Sequence, residues 1–364
     1  MKHHVTPTVA FFAGLDAHQE YVVIAVVDKT GTLVHEGRVR SGDAAQLRAA
    51  LLPFHSVTHP LAVVVETCPF WPWLYDAVVP FGIRFQLAHA QELEAIARSA
   101  RKSDQRDARL LARMLAGDLI PPAYPTSPAQ RDTACLLRHR AALVRTRTMT
   151  ANRLHSQLHA VGLGLPREQL LRKASRVWLV ETAWPRLSPE QQHLVQAHWG
   201  LLRHFTKMIA ALNARIAQLA AADPAACLLA TIPGIGPFRS LMLATELLPM
   251  SRYASVHKFV GYAGLAPITR RSADTVRRGP LPRAANRWVR GALVSAIPTH
   301  LRLAPGSRLS QYYARQKPRL GWPVARVAAA RQLARIMYGM LATGECWREE
   351  GIVDGVSAER RMES

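Results

Sequence analysis

Cysteine is scarce in this chain. Its four residues (Cys68, Cys135, Cys227, Cys346) lie far apart, with no CxxC pair and no histidine at zinc-finger spacing. That excludes a disulfide framework and a structural zinc module, and it fits free thiols in a reducing compartment. Long apolar runs are missing too. The longest, Leu61–Ile83, carries Glu66, Asp76 and three prolines, so it is not a membrane span. At the start, the apolar run Val9–Leu15 is too short for a signal peptide and is broken by Asp16, which leads us to expect a cytoplasmic, nucleoid-associated protein. Lysine is also rare: seven of the 47 basic residues, the other forty being arginine. A GC-rich genome explains such a bias, and so does the planar fork that arginine offers to phosphates and guanine edges.

Acidic residues are the most telling shortage. Only 25 stand against the 47 basic ones, a formal net charge of +22 in 364 residues, whereas the 49% hydrophobic and 20% charged composition is that of a folded protein. A polyanionic partner accounts for the surplus, and nucleic acid is the first candidate. The surplus is not uniform. Residues 1–120 hold twelve basic and twelve acidic side chains, residues 131–215 are net +10, residues 267–335 are net +14, and 336–364 are net −3. A neutral N-terminal module is followed by two basic ones.

The N-terminal module reads as a mixed sheet with helices. Val9–Leu15, Tyr21–Val27 and Leu33–Arg40 are strand-like, with a tight turn at Lys29–Gly31. Asp43–Phe54 has helical spacing, and Leu61–Val65 is a continuous apolar run suited to a strand buried on both faces. Trp71–Val79 reads as helix, Arg84–Ala88 as strand, and Gln91–Ala100 and Ser103–Ala116 as helices. Three hairpin-type strands followed by alternating helix and strand is the order of an RNase H-like (RuvC-like) α/β fold. Asp16 and Glu66 each follow directly on an apolar run, and Asp104 and Asp107 stand three apart at the start of a helix, on one face. Carboxylates at strand ends and on one helix face suit a two-metal site for in-line displacement at phosphorus. Taken singly, each acid also reads as a turn residue, a helix-dipole charge or a solvated group.

The segments GLDAHQEYVVIAVVD, VVVETCPFW and RKSDQRDARLLARML resemble the DEDD transposases of the insertion-sequence-110/1111 family, whose acids the Piv-type DNA invertases share. The stretch Lys102–Ala112 carries the most specific part of the likeness. The resemblance implies a RuvC-like domain in which Asp16, Glu66, Asp104 and Asp107 bind Mg²⁺, with Mn²⁺ as a substitute.

Prolines 121, 122, 125 and 128 mark a boundary. Helical patterns then run from Ala129 to about Val161 and, after the Ser188–Pro189 start signal, to Ala222. Two helices of this length suggest an antiparallel or intermolecular coiled coil. Its interleaved arginines read either as nucleic-acid contacts or as a solvated face, and the family resemblance implies subunit assembly as a dimer or tetramer. Next, LLATIPGIGPFRSLMLATEL has the form of a helix-hairpin-helix element. Gly234 and Gly236 in it read either as a phosphate-binding hairpin or as a structural turn.

The segment Phe259–Leu293 extends the resemblance, through Gly264–Pro267, a serine loop and Asn286–Arg290. In the family the serine in register, here Ser272, attacks the scissile phosphate. Ala273 and Asp274 follow it where the family usually has glycine, and an ordinary loop serine is the alternative reading. No base adjoins Ser272 in sequence, so its activation is expected from the metals held by the acids. Arg270, Arg271, Arg277, Arg278, Arg283, Arg287 and Arg290 are expected to hold phosphates.

These readings divide the chain into a RuvC-like DEDD domain (1–122), a helical coiled-coil region (126–224), a mainly α C-terminal transposase domain with the serine loop (225–345) and a tail (346–364). The implied protein is a recombinase that moves an insertion sequence, acting on element-end and target DNA under the guidance of an element-encoded bridge RNA. Two alternatives are a RuvC-like nuclease that uses water, for which Ser272 is dispensable, and a non-catalytic nucleic-acid-binding remnant.

Overall fold

The computed structural model describes residues 9–96, 104–164, 170, 177–272, 275–282 and 285–348, with backbone alone at 94–96, 269–272 and 275–278. The chain forms two compact units, Met1–Pro128 and Ala129–Ser364. No helix among the described residues is long and apolar enough to cross a membrane.

The first unit is built on a six-stranded mixed sheet. Its strands are β1 (Phe11–Ala17), β2 (Tyr21–Asp28), β3 (Leu33–Arg40), β4 (Leu61–Glu66), β5 (Arg84–Ala88) and β6 (Pro122–Ala123), in the order β3-β2-β1-β4-β5-β6. The first three form an antiparallel meander, β4 and β5 run parallel to β1, and β6 closes one edge antiparallel to β5. The turn from β2 to β3 is held by the Asp28 carboxylate, which accepts from the amides of Thr30 and Thr32. Gly31 sits there at φ 80°, a conformation glycine adopts without steric cost.

Helices cover both faces of this sheet. On one side α1 (Ala44–Leu51) and α2 (Trp71–Val78) bury Leu47, Leu51, Leu74 and Val78 against Leu15, Ile24, Val63 and Val65. On the other, α3 (Ala90–Ile96) and α4 (Asp104–Ala116) bury Leu93, Leu111, Ala112 and Leu115 against Phe12, Ala62 and Val64. Odd-numbered residues of β1 therefore face α1 and α2, and even-numbered ones face α4, the alternation that strand geometry requires. Gly14 lies in the even set. A Cβ there would collide with the carbonyl oxygen of Ala108 and come within 2.6 Å of the Ala112 amide nitrogen. The missing side chain lets α4 lie directly on the backbone of β1.

Three details depart from the sequence reading. The first strand continues through Asp16 to Ala17. The Asp43–Phe54 helix ends at Leu51 and tightens into a 3-10 turn at Leu52–Phe54, where Pro53 has no N–H to continue the ladder. The proline-rich stretch read as a boundary also contributes β6. It sits at a sheet edge, where proline is tolerated, and the Pro121 carbonyl accepts from the His89 amide.

Among its described residues the regular structure of the second unit is helical apart from one hairpin. Its long helices, α5 (Pro128–Ala160) and α6 (Pro189–Ala222), lie antiparallel, since Leu137 clusters with Ile216 and Ala220 whereas Leu154 and Leu158 cluster with Val195 and Leu202. The Arg140 Nε donates to Asn213 Oδ1 at 2.9 Å across the pair. The buried residues Val195, Leu202, Ile209 and Ile216 of α6 recur every seven positions. Ser188 and Gln191 form a reciprocal capping box at the start of α6, with Pro189 in its first turn. Beyond it come α7 (Pro224–Ala230), α8 (Pro237–Leu247), α9 (Val256–Tyr262), the hairpin β7 (Thr269–Ser272) and β8 (Thr275–Arg278), α10 (Arg287–Leu303) and α11 (Arg308–Thr343). Their common core is centred on Phe259, Leu243, Leu293 and Leu333. A non-helical Gly321 between Pro318 and Pro323 breaks α11.

Two glycine substitutions with opposite signs test this packing. Gly14→Ala is expected to destabilise the first unit by about 1–3 kcal/mol, because neither neighbour is a yielding side-chain tip. Gly200→Ala, in α6 with open space around it, is expected to stabilise by roughly 0.5–1 kcal/mol. Denaturant-dependent hydrogen exchange in β1 and in α6 reads the two effects separately.

Candidate functional site

The strand register builds the site. Leu15 of β1 pairs with Val65 of β4 in a parallel ladder, so the next residues, Asp16 and Glu66, sit side by side at the ends of adjacent strands. Both belong to the face covered by α4, Asp16 by alternation from Gly14 and Glu66 by alternation from Val64. Helix α4 begins above that point, and its first turn carries Asp104 and Asp107. Their three-residue spacing turns both to one side.

Two further side chains join them. The His18 Nε2 lies 2.9 Å from Asp16 Oδ2 and 3.5 Å from Asp104 Oδ2, and the Tyr21 hydroxyl donates to the same Asp104 oxygen at 2.8 Å. One donor atom from each of Asp16, His18 and Asp104 lies within 4.8 Å of the others. The sequence reading did not single out His18 or Tyr21. The period of two along β1 and its turn placed His18 on Asp16's side, which was a readable signal. Tyr21 owes its contact to the pairing of β1 with β2.

The electrostatics are those of crowded acids. Partial burial pushes the Asp16 carboxyl up, His18 pulls it down, and the charges of Asp104 and Asp107 push it up again. The Cys68 thiol is raised chiefly by burial and further by the carboxylates of Glu66 and Asp16. Hydrogen bonding to Asp104 raises the Tyr21 phenol. The arrangement suits a divalent cation, since carboxylate oxygens are the hard donors that Mg²⁺ and Mn²⁺ take, and the imidazole nitrogen is a donor that Mn²⁺ accepts more readily.

The remaining predicted residues lie in the second unit. Ser272 ends β7 and pairs with Thr275, and Arg270 is the cross-strand partner of Arg277. Arg271 pairs with Val276 and Arg278 with Thr269. Ala273, Asp274 and Arg283 lie outside the described residues.

Gly234, at φ 93°, packs on α10, where a Cβ would come 2.8 Å from the His300 amide nitrogen. Gly236 caps α8 with open space around it. Arg287 is the first residue of α10, whose N-cap Asn286 accepts from the amides of Trp288 and Val289. The Arg290 guanidinium donates to the Pro282 carbonyl at 2.9 Å.

The raised Asp16 carboxyl has a consequence for stability. Between its ordinary value and its folded-state value the folded chain binds more protons than the unfolded one, so stability falls as pH rises through that window. Asp16→Asn abolishes this loss. In chelator at pH 7 its thermal midpoint is expected at or above that of the wild type, the difference closing as the pH falls below the ordinary carboxylate range. Melting curves from pH 3 to 8 check this, and a lower midpoint at neutral pH contradicts it.

Much of the chain is similar to known proteins. A family model described as "Transposase" matches residues 13–162, and one described as "Transposase IS116/IS110/IS902 family" matches residues 226–314. The chain is 26% identical over 317 residues to the y4pF/y4sB protein of Sinorhizobium fredii, covering 83% of this chain and 78% of that one. It is 24% identical over 299 residues to the transposase for insertion sequence element IS1328 of Yersinia enterocolitica, covering 82% and 88%. With the transposase for insertion sequence element IS1111A of Coxiella burnetii it shares 21% identity over 337 residues, 92% of this chain and 90% of that one. The first model takes in all four acids and the second the glycine hairpin and Ser272, and on these matches the chain belongs to the IS110 family of transposases.

Proposed function

We propose that this protein cuts and rejoins DNA strands of an insertion sequence, with Asp16, Glu66, Asp104 and Asp107 holding divalent metal and Ser272 as the nucleophile. The observation that supports the reading is the cluster of Asp16, His18 and Asp104 within 4.8 Å, with Glu66 at the end of the strand beside Asp16 and Asp107 in the same first helical turn as Asp104. Five strands in the order β3-β2-β1-β4-β5, three of them a meander, support an RNase H-like (RuvC-like) identity for this unit.

Mg²⁺, or Mn²⁺ in its place, supplies charge neutralisation at the oxygens of an in-line displacement. The chain's own residues do the rest. Asp16 and Glu66 anchor the site to the sheet, Asp104 and Asp107 close it from the helix, and His18 orients Asp16 and Asp104 by reaching both. The Ser272 oxygen forms a new bond to phosphorus, the bond from phosphorus to the sugar oxygen breaks, and the serine proton ends on the departing alcohol. Arg270 and Arg277, cross-strand partners two residues along the same hairpin from the serine's own rung, bind phosphate in this reading.

An element-encoded bridge RNA pairs with donor and target DNA in this reading. Net charges of +10 over residues 131–215 and +14 over 267–335 suit a protein that grips nucleic-acid backbones and leaves sequence recognition to base pairing. Self-association through a coiled coil is supported by Leu194 and Leu201 of α6. They are seven residues apart and 43% and 46% exposed, beside a seam already filled by α5.

Incubation with element-end DNA, the RNA and Mg²⁺, followed by denaturing electrophoresis, tests the reading. The wild type forms a phosphoserine-linked strand. Ser272→Ala forms none, Asp16→Ala and Asp107→Ala lose about 10²–10³-fold or more in rate, and chelator stops the reaction. Metal-dependent nicking that survives Ser272→Ala without an adduct identifies a water-using nuclease instead.

A further inference from the structure

A cavity of ≈ 570 Å³ opens between α8 and α10, within the second unit. Arg140, Arg239 and Arg287 line it together with Phe238, Trp288 and Gly236, and among the described residues no acidic one shares the lining. Neutral groups hold two of these arginines in place. Arg239 donates to the carbonyls of Gly234 and Ser295, at 3.0 and 3.3 Å. Arg140 donates to Asn213 and lies 4.4 Å over the Phe238 ring. Both guanidinium groups are thus fixed without being neutralised.

Burial holds Arg140 and Arg239 below the ordinary arginine range, and Arg140 is lowered further by the charges of Arg147 and Arg239. An anion relieves this. The cap of α8 points the same way, since Gly236 offers no side-chain acceptor to the first amides of the helix. The cavity is several times larger than a phosphate requires, and it lies within the range of small-molecule sites. Two aromatic rings on its wall suit a planar group beside the anion.

We propose that this cavity takes one unstacked nucleotide, its phosphate among Arg140, Arg239 and Arg287 and its base against Phe238 and Trp288. A base inside a duplex has both faces covered by its neighbours, so the occupant comes from a single strand, a frayed end or an extruded position. Either DNA or RNA supplies that chemistry. The inference rests on the reading of this chain as a nucleic-acid enzyme, and it adds a binding site to which neither the acids nor Ser272 contribute.

The full-length protein is mixed with short single-stranded DNA or RNA, or with duplex, each carrying one photoreactive halogenated pyrimidine. Crosslinked residues are then mapped by mass spectrometry. The expected result is crosslinking to Trp288 or Phe238 with single strands and not with the internal position of the duplex, and the arm that crosslinks better names the source. Trp288→Leu and Arg287→Gln are each expected to weaken single-strand binding about tenfold, Trp288→Leu leaving duplex binding within twofold. Arg287 is exposed at the start of its helix, so its variant keeps the test valid if Trp288→Leu unfolds. Tight single-strand binding with crosslinks elsewhere, or unchanged affinity in both variants, overturns the cavity and leaves the proposed function standing. Failure of every DNA and RNA arm to bind overturns both.

Discussion

The contact between α4 and the backbone of β1 is the constraint on which the first unit depends. It exists because residue 14 has no side chain: the carbonyl of Ala108 and the amide of Ala112 occupy the space where a Cβ would stand. Leu111 and Leu115 then bury themselves on Phe12 and Val64 to one side of the crossing, and Ala108 packs on Val23 and Ala25. The bidentate pair of Arg109 with Glu36 of β3, its Nε–Oε1 bond 2.8 Å long, ties the helix to the far side of the meander. With the axis of α4 set in this way, the position of its first turn is no longer free. Asp104 and Asp107 must stand over the end of β1, where Asp16 is.

This geometry opposes the unit's own stability. Partial burial raises the protonation tendency of Asp16, and the charges of Asp104 and Asp107 raise it further. What offsets the repulsion is the apolar packing on either side of the sheet, with Leu15, Ile24 and Val63 fully buried on one face and Val64, Ala112 and Leu115 on the other. His18 moderates the repulsion locally by bridging Asp16 and Asp104. A site in this condition is poised to take up cations, because each positive charge bound removes repulsion that the fold otherwise sustains.

Much of this was legible in the amino-acid order. The strands announce themselves as apolar runs, and Asp16 and Glu66 are conspicuous because they follow those runs at once. Ser188–Pro189 marks the start of α6 to the residue, since a capping box is a local device. What was not legible depends on pairing between distant segments. Gly14 stands in plain view in FAGLD, yet nothing in one dimension tells that α4 lies across it. The two residues of β6 are hidden among prolines that otherwise signal a break, and only the free edge of β5 makes them a strand. The arginine-lined cavity draws on residues 140, 236–242 and 287–295, so no window of sequence contains it.

The surplus of positive charge acquires its meaning from how the acids are used. Between residues 224 and 344 the sequence has two carboxylates, Glu246 and Asp274. Glu246 is fully engaged in the scaffold. One oxygen accepts from Arg138 at 2.7 Å and the other from the Asn286 amide at 2.7 Å, which ties α8 to α5 and to the cap of α10. The side chain is only 10% exposed, so it does not reach out to other cations. With Glu246 engaged by Arg138 and Asn286, the sequence of this stretch supplies only Asp274 besides as counter-charge for its many arginines. Paired arginines such as Arg109 and Arg138 hold the fold together, and Arg140, Arg239 and Arg287, fixed by neutral acceptors or left at a helix start, are those a polyanion completes. By this logic the charge of the second unit follows from withholding acids, and adding a carboxylate beside these arginines would remove the very attraction that their placement creates.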